Sequence, residues 1–487
     1  MFGDYVYEQS GAPYEHRILL IDDDDLENRW KFMETYPKHG FTFISYQNDL
    51  HFRVNHEEEF KASGGRIAVL AKPGDYVPYD IRKACREYHI SISGLFPKLN
   101  AGVIREQRGL DPELLYSAYR ENFDDLRSAK ATEDFIRNRV YCRENVRKYA
   151  LKLADELRIL CDEADSFYAW VRIAEMKAKL DVLSAEYGLN IGAEEIQTSF
   201  LQFILESYGK LSSEISDETP VLVSRAMEYM DSHSDKFVIV VMDGMSEFDW
   251  TVISRGFTDI KYERASAFAM IPTITSVSRQ CLLSNKFPRQ LENPWSQGKE
   301  KKEFTNCARG MGYADSQISY GRGYDTELSS SVKCGAVIIN DVDDMVHGQK
   351  QGRGGMLDDI RRLAETGKLH DMVKRFLQQG FDVYVTADHG NVPCTGQGLL
   401  RGMGVETETK SHRMIVLKEY ADKEKFKLEH NMIEFPKYYL DKQYDYLICN
   451  VGESFDAKGE KVMTHGGITV DEVIVPFIEI KAVDNHA

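Results

Sequence analysis

Three apolar runs in the second half of the chain end on side chains able to hold metal ions. VVMDGMS closes on Asp243, NDVDDMVHG spaces Asp343 and His347 four apart, and TADHG sets Asp388 beside His389. A fourth fragment, THGG, presents His465 ahead of paired glycines. Four-residue spacing puts Asp343 and His347 on one face of a helical turn, where both can grip one cation. Adjacent residues such as Asp388 and His389 serve a common site only in irregular backbone, which the following glycine allows. Taken singly, each fragment has a plainer reading: an Asp-Gly turn, a helix N-cap at Asp341 or Asp343, a turn with an exposed histidine, a loop. Together they supply three carboxylates and three imidazoles. That mix suits zinc or manganese rather than calcium, which prefers oxygen alone. Six ligands exceed the four of a tetrahedral zinc. They fit two ions about 3.5–4 Å apart, an arrangement that stabilises attacking and leaving oxygens in phosphoryl transfer.

A hydroxyl nucleophile completes such chemistry. The segment AMIPTITSVSRQCLLS offers Thr273, Thr275, Ser276 and Ser278. A hydroxyl against a metal ion loses its proton more readily and attacks phosphorus, although a Thr/Ser-rich helix cap reads the same way. Two glycine-rich stretches, QGRGGM (351–356) and GQGLLRGMG (396–404), carry Arg353 and Arg401. They read either as contacts for a phosphate or leaving group or as surface loops, and neither matches the phosphate loop of nucleoside triphosphatases.

Ligands in open α/β sheets gather at the carboxyl ends of strands, so the elements behind these motifs matter. KFVIVVMD (236–243), KCGAVIIND (333–341), FDVYVTAD (381–388), RMIVLK (413–418) and EVIVPFIEI (472–480) are near-continuous apolar runs. Strands buried on both faces of a helix-covered parallel sheet read this way. The expected fold is α/β, a mainly parallel sheet sandwiched by helices over residues 216–487. It is preceded by a small α/β domain over 1–110 with strands at RILLI (17–21), FTFISY (41–46) and RIAVLA (66–71). Residues 111–215 space apolar side chains three and four apart with almost no proline, which predicts a helical region.

Composition narrows the class. A net charge of −17 argues against broad wrapping of duplex DNA. No apolar run approaches the ~20 residues that span a bilayer, and the start, MFGDYVYEQS, lacks the basic and apolar segments of a secretory signal. Eight scattered cysteines without a CxxC pair read as reduced thiols in a cytoplasm. RILLIDDDD is similar to the start of a phosphorelay receiver, but the later strand RIAVLAKPG ends without a phosphoacceptor Asp. Asp22–Asp25 therefore reads as a turn and a helix N-terminal charge cluster.

The order strand-Asp, PTxT, DxxxH, DHG and a late HGG resembles the alkaline phosphatase superfamily, and within it the PglZ branch known from BREX phage-exclusion systems. THGGITVDEVIVPFIEI, NDVDDMVHG and TADHG carry that likeness, over roughly 235–480, with a looser similarity in RILLIDDDD and GLFPKL. The resemblance implies an alkaline-phosphatase-like core and a metal-dependent phosphoesterase, foremost a phosphodiesterase acting on nucleotides or oligonucleotides. It implies two divalent ions, zinc or manganese. Asp243, Thr275, Asp388 and His389 would hold one ion, with Thr275 as nucleophile, and Asp343, His347 and His465 the other. Related phosphodiesterases carry Asn and His after the nucleophile, where this chain has Ser278 and Arg279 as tentative substrate contacts. Arg279 reads equally as an ion-pair partner. Asn285 stands where a small residue and glycine are expected. No CxPxR setting supports a sulfatase. A phosphomonoesterase or phosphomutase with the same ligands, or a mainly structural component of a defence complex beside a methyltransferase and an ATPase, are the rival expectations.

Overall fold

The structure, a computed structural model, describes residues 1–62, 64–107, 109–193, 195–398, 411–418 and 422–482. The chain divides into two compact units, Met1–Tyr149 and Ala150–Ala487, with the division inside the helix Arg143–Asp162.

The first unit is built on a parallel sheet of β1 (Arg17–Asp22), β2 (Phe41–Ser45), β3 (Arg66–Ala71) and β4 (Arg86–Ile90), in the order β2-β3-β1-β4. Leu19 and Ile21 of β1 join Ile44, Phe52, Phe60 and Val69 in its core. The acidic run after β1 is a helix start. Both Asp22 carboxylate oxygens accept from backbone N–H groups, those of Leu26 and Glu27, at 2.8 Å each, where the helix Leu26–Trp30 begins.

The second unit contributes, in chain order, β5 (Phe237–Met242), β6 (Glu263–Phe268), β7 (Ile318–Arg322), β8 (Cys334–Ile339), β9 (Asp382–Thr386), β10 (Val392–Gly396), β11 (Met414–Leu417), β12 (Ile433–Glu434), β13 (Asp445–Ile448), β14 (Glu453–Ser454), β15 (Lys461–Thr464) and β16 (Ile474–Ile480). Its main sheet has the order β6-β16-β9-β5-β8-β7. β9, β5, β8 and β7 are mutually parallel, and β16 runs antiparallel to both its neighbours. The fold class is therefore α/β with a mainly parallel sheet flanked by helices. Every residue of β5 and β8 is buried, as their unbroken apolar runs predict.

Two of the five runs depart from that reading. EVIVPFIEI begins with a helical turn, Val470–Val473, and only then becomes the antiparallel β16. Pro476 pairs only with β6 in the register; pairing with β9 starts one residue later, at Phe477↔Thr386. RMIVLK forms β11 of a separate antiparallel sheet, β11-β13-β12, over its own cluster of Ile415, Leu417, Phe426, Met432 and Leu447. An apolar run reports burial, and burial is common to both sheets.

Helices of residues 150–213 belong to this unit and reach the C-terminal segment. Phe167 and Trp170 of the helix Phe167–Glu186 pack with Phe200, Phe203 and Phe268. From the same helix the buried Lys177 ammonium contacts Asp471 Oδ1 at 2.8 Å and Asp181 at 2.6 Å. Asp471 also accepts from Gln197 Nε2 at 2.6 Å and lies 3.0 Å from Arg353. The residue after His389 packs directly beneath this network: a Cβ on Gly390 would lie 1.9 Å from the Asp471 carbonyl oxygen, and Gly390 N–H donates to Glu472 O at 2.9 Å. Among the described residues no helix is long and apolar enough to cross a membrane.

Two stability predictions follow from this packing. Ile239→Ala in the fully buried β5 removes side-chain volume from the packing on one face of the sheet and costs about 2–5 kcal/mol in urea unfolding. Gly390→Ala forces its Cβ into the Asp471 backbone and costs about 1–3 kcal/mol by the same measurement; an unchanged midpoint would mean that the segment gives way freely.

Candidate metal centre

β9, β5 and β8 lie side by side and parallel, with Val241 opposite Thr386 and Met242 opposite Ile339. Their carboxyl ends therefore deliver Asp243, the helix Asp341–Gly348 and Asp388 to one place. Thr275 opens the helix Thr275–Leu282, and His465 directly follows β15. The six carboxylate and imidazole side chains fall into two groups, Asp243–Asp388–His389 and Asp343–His347–His465, each with ligand atoms within 4.8 Å of one another.

The first group is fully enclosed. Thr275 Oγ1 donates to Asp243 Oδ1 at 3.3 Å and stands 3.1 Å from His389 Nε2. His389 Nε2 is 3.7 Å from Asp243 Oδ1 and 3.9 Å from Asp388 Oδ2, while its Nδ1 faces the Gly390 carbonyl at 3.1 Å. That carbonyl fixes the ring with Nε2 toward the group. Asp388 Oδ1 accepts from the N–H groups of Gly244 and His389 at 3.2 Å each. Burial pushes the Asp388 carboxyl well above the usual carboxylate range, and the neighbouring Asp243 adds to the push.

The second group opens toward solvent: the His347 side chain is 50% exposed, against 9% for His465. Asp343 Oδ2 is 3.3 Å from His347 Nε2, and Asp343 Oδ1 is 3.4 Å from His465 Nε2. Burial works to raise the Asp343 pKa. The hydrogen bond from His347 and the fields of the neighbouring imidazoles outweigh it and hold the carboxyl well below its ordinary range. The same hydrogen bond raises His347. Burial, with His389 beside it, lowers His465 to about 4, so at neutral pH its ring is an uncharged donor of a lone pair.

Each group contains one buried carboxylate oxygen without a hydrogen-bond partner among the described residues, Asp388 Oδ2 in the first and Asp343 Oδ1 in the second. An unpaired buried charge is costly unless a cation meets it. With imidazole nitrogens beside each orphaned oxygen, the residues present fit one divalent cation per group.

The two threonines of IPTIT divide their work. Thr273 Oγ1 donates to Gly467 O at 2.8 Å and accepts from Gly466 N–H at 3.2 Å, and its carbonyl lies 3.0 Å from His465 Nδ1. It ties down the HGG turn, leaving Thr275 as the hydroxyl that faces the ligand groups. Glu472 anchors the same turn: its carboxylate accepts from the N–H groups of Gly467 at 2.8 Å and Thr469 at 3.0 Å, and pairs with the buried Arg413 at 2.9 Å. The spacing Thr469-x-x-Glu472 is a capping box legible in sequence; nothing local marks Arg413 as its partner.

Ser278 and Arg279, expected as substrate contacts or, for Arg279, as an ion-pair partner, both line the first group. Ser278 is fully buried, accepts from Met270 N–H at 3.0 Å and donates to the Asp388 carbonyl. Arg279 is 1% exposed, with Nη1 2.5 Å from Asp243 Oδ2 and Nε 2.6 Å from Glu300 Oε2. Neither side chain is open to substrate, because both are consumed by the walls of the first group. Arg353 lies in the first turn of the helix Gly352–Glu365, not in a loop, and its guanidinium meets Asp471 and covers the Phe248 ring. Arg401 lies outside the described residues. Asn285 takes φ 52°, the left-handed conformation that asparagine tolerates, so the expected glycine is dispensable there.

Among solved structures, the chain is similar to the murine ectonucleotide pyrophosphatase/phosphodiesterase 5, with 13% identity over 50% of this chain and 88% of that one at a TM-score of 0.33. For the human protein of that name the values are 14%, 51%, 89% and 0.35. Phosphonoacetate hydrolase from Sinorhizobium meliloti, in complex with phosphonoacetate, gives 9%, 52%, 94% and 0.32. Likenesses this distant say nothing about activity. No curated protein matches the chain. Residues 222–480 match the BREX system PglZ alkaline phosphatase-like domain, and the match spans β5 to β16 with every ligand residue above. With more than half of its length in that match, the chain belongs to the PglZ family of alkaline phosphatase-like proteins.

Proposed function

We propose that the chain is a metal-dependent phosphoesterase, foremost a phosphodiesterase of nucleotides or oligonucleotides, with Thr275 as nucleophile. One observation carries the reading: the Thr275 hydroxyl stands within 3.3 Å of both Asp243 and His389, in the group where Asp388 Oδ2 has no hydrogen-bond partner. Membership of the PglZ family supports a cytoplasmic place in a phage-defence system, with a methyltransferase and an ATPase as partners.

Divalent ions bound in the two groups, zinc or manganese, would supply a lowered hydroxyl pKa at Thr275 and charge neutralisation at the phosphate oxygens. Asp243 Oδ1 accepts the Thr275 hydroxyl hydrogen and so aims an oxygen lone pair away from itself. The backbone N–H groups of Thr275 and Ser276, at the first turn of their helix, have no acceptor among the described residues and suit an anionic phosphate oxygen. Attack forms a bond from Thr275 Oγ1 to phosphorus as its proton leaves by way of Asp243 Oδ1, and breaks the bond to the leaving-group oxygen, which takes a proton from solvent. Water then breaks the Oγ1–phosphorus bond and frees the threonine. The half-exposed His347 places the second group, where the leaving group and water must pass, on the solvent side.

The test is hydrolysis of bis-p-nitrophenyl phosphate against p-nitrophenyl phosphate by metal-stripped protein with zinc, manganese or magnesium restored. Diester cleavage is expected only with metal, and Thr275→Ala lowers kcat by at least about 100-fold while the metal content stays unchanged. Cleavage of the monoester alone would make the protein a phosphatase. No cleavage by a folded, metal-loaded protein would favour a structural part in a defence complex. Asp343→Asn and Asp388→Asn are each expected to lose one of the two ions in metal analysis of the purified protein, with the other retained.

A further inference from the structure

Arg279 sits where a bound cation would be expected to have no competitor. Its Nη1 is 2.5 Å from Asp243 Oδ2 and 3.7 Å from Asp388 Oδ2, and the side chain is 1% exposed. Nε pairs with Glu300 Oε2 at 2.6 Å; Glu300 in turn is held by the Tyr320 hydroxyl and by Arg322 Nη2 at 3.1 Å. The guanidinium is thus fixed from behind and cannot swing out toward solvent as a surface arginine does.

The second group has no such neighbour. Asp343 meets only the imidazoles of His347 and His465 among its ion-pair partners in the described residues. Counting formal charges, Asp243 and Asp388 against Arg279, with Glu300 set against Arg322, leave one negative charge in the first group, and Asp343 alone leaves one in the second. Two groups of unlike composition are brought to the same balance by one buried arginine.

We infer that Arg279 is a positioning residue for the first group. It occupies Asp243 Oδ2, leaves Oδ1, the oxygen that accepts from Thr275, as the one turned to the group, and limits how tightly a divalent ion is held beside Thr275. A group less fully neutralised by its own carboxylates keeps a stronger positive field at Thr275 Oγ1 once loaded. The inference rests on the metal reading above.

The test reads binding, not turnover. Metal-stripped full-length protein carrying His347→Ala, which disables the second group, is titrated with Mn²⁺ by calorimetry, with and without Arg279→Gln. The glutamine variant is expected to bind Mn²⁺ at least about tenfold more tightly, because a unit positive charge 2.5 Å from Asp243 and 3.7 Å from Asp388 is removed. Arg279→Lys, which keeps the charge, is expected to bind within about threefold of its parent. Should Arg279→Gln fail to fold, the double variant Arg279→Gln/Glu300→Gln removes the arginine together with the carboxylate behind it, and it too is expected to bind more tightly. Unchanged or weaker binding in whichever glutamine variant folds would overturn the inference. Wild-type protein that binds no Mn²⁺ or Zn²⁺ at all would overturn the metal reading itself, whereas two binding events that ignore Arg279 would overturn this inference alone.

Discussion

Two carboxylates placed side by side in a fully buried pocket repel each other, and much of this structure answers that repulsion. Asp243 and Asp388 come from the ends of neighbouring parallel strands, so the sheet itself enforces their closeness. Backbone N–H groups take one oxygen of Asp388, and Arg279 takes one oxygen of Asp243. What is left over, an unpartnered Asp388 oxygen with Asp243 Oδ1, His389 Nε2 and the Thr275 hydroxyl around it, is a cation-shaped remainder. The buried Arg279–Glu300 pair behind it, met from the surface by the half-exposed Arg322, shows how far the structure goes to keep one charge in place. A buried ion pair of this kind is weak evidence for stability by itself, since desolvation offsets the attraction. Its value here lies in orientation.

The second group meets the same problem with less apparatus, because it holds one carboxylate and stands half in solvent. Water screens what Arg279 must neutralise in the first group. The asymmetry encloses the Thr275 hydroxyl and leaves His347 open to solvent.

The turns that present these ligands are held from a distance. Thr273 and Glu472 pin the HGG turn, and Lys177, Gln197 and Arg353 converge on Asp471, next to the backbone against which Gly390 packs. Helices of residues 150–213 therefore belong physically to the site's support. Breaking a buried network of this sort by removing one partner typically costs about 3–5 kcal/mol, so its members are not free to vary independently.

From the sequence alone, local chemistry was legible. Unbroken apolar runs located β5, β8 and β9, because a strand covered on both faces cannot carry polar side chains, and Asp or His at each run's end marked where ligands gather. The four-residue step from Asp343 to His347 was readable for a related reason: neighbours along a helix are neighbours in sequence. Tertiary structure decided the rest. It set the antiparallel course of β16 and the separate sheet of β11, the pairing of Arg279 with Asp243, the placement of Arg353 in a helix against Asp471, and the division of labour between Thr273 and Thr275. Each of these depends on which distant residue arrives opposite, and periodicity along a chain records that a side chain is buried without recording what it is buried against.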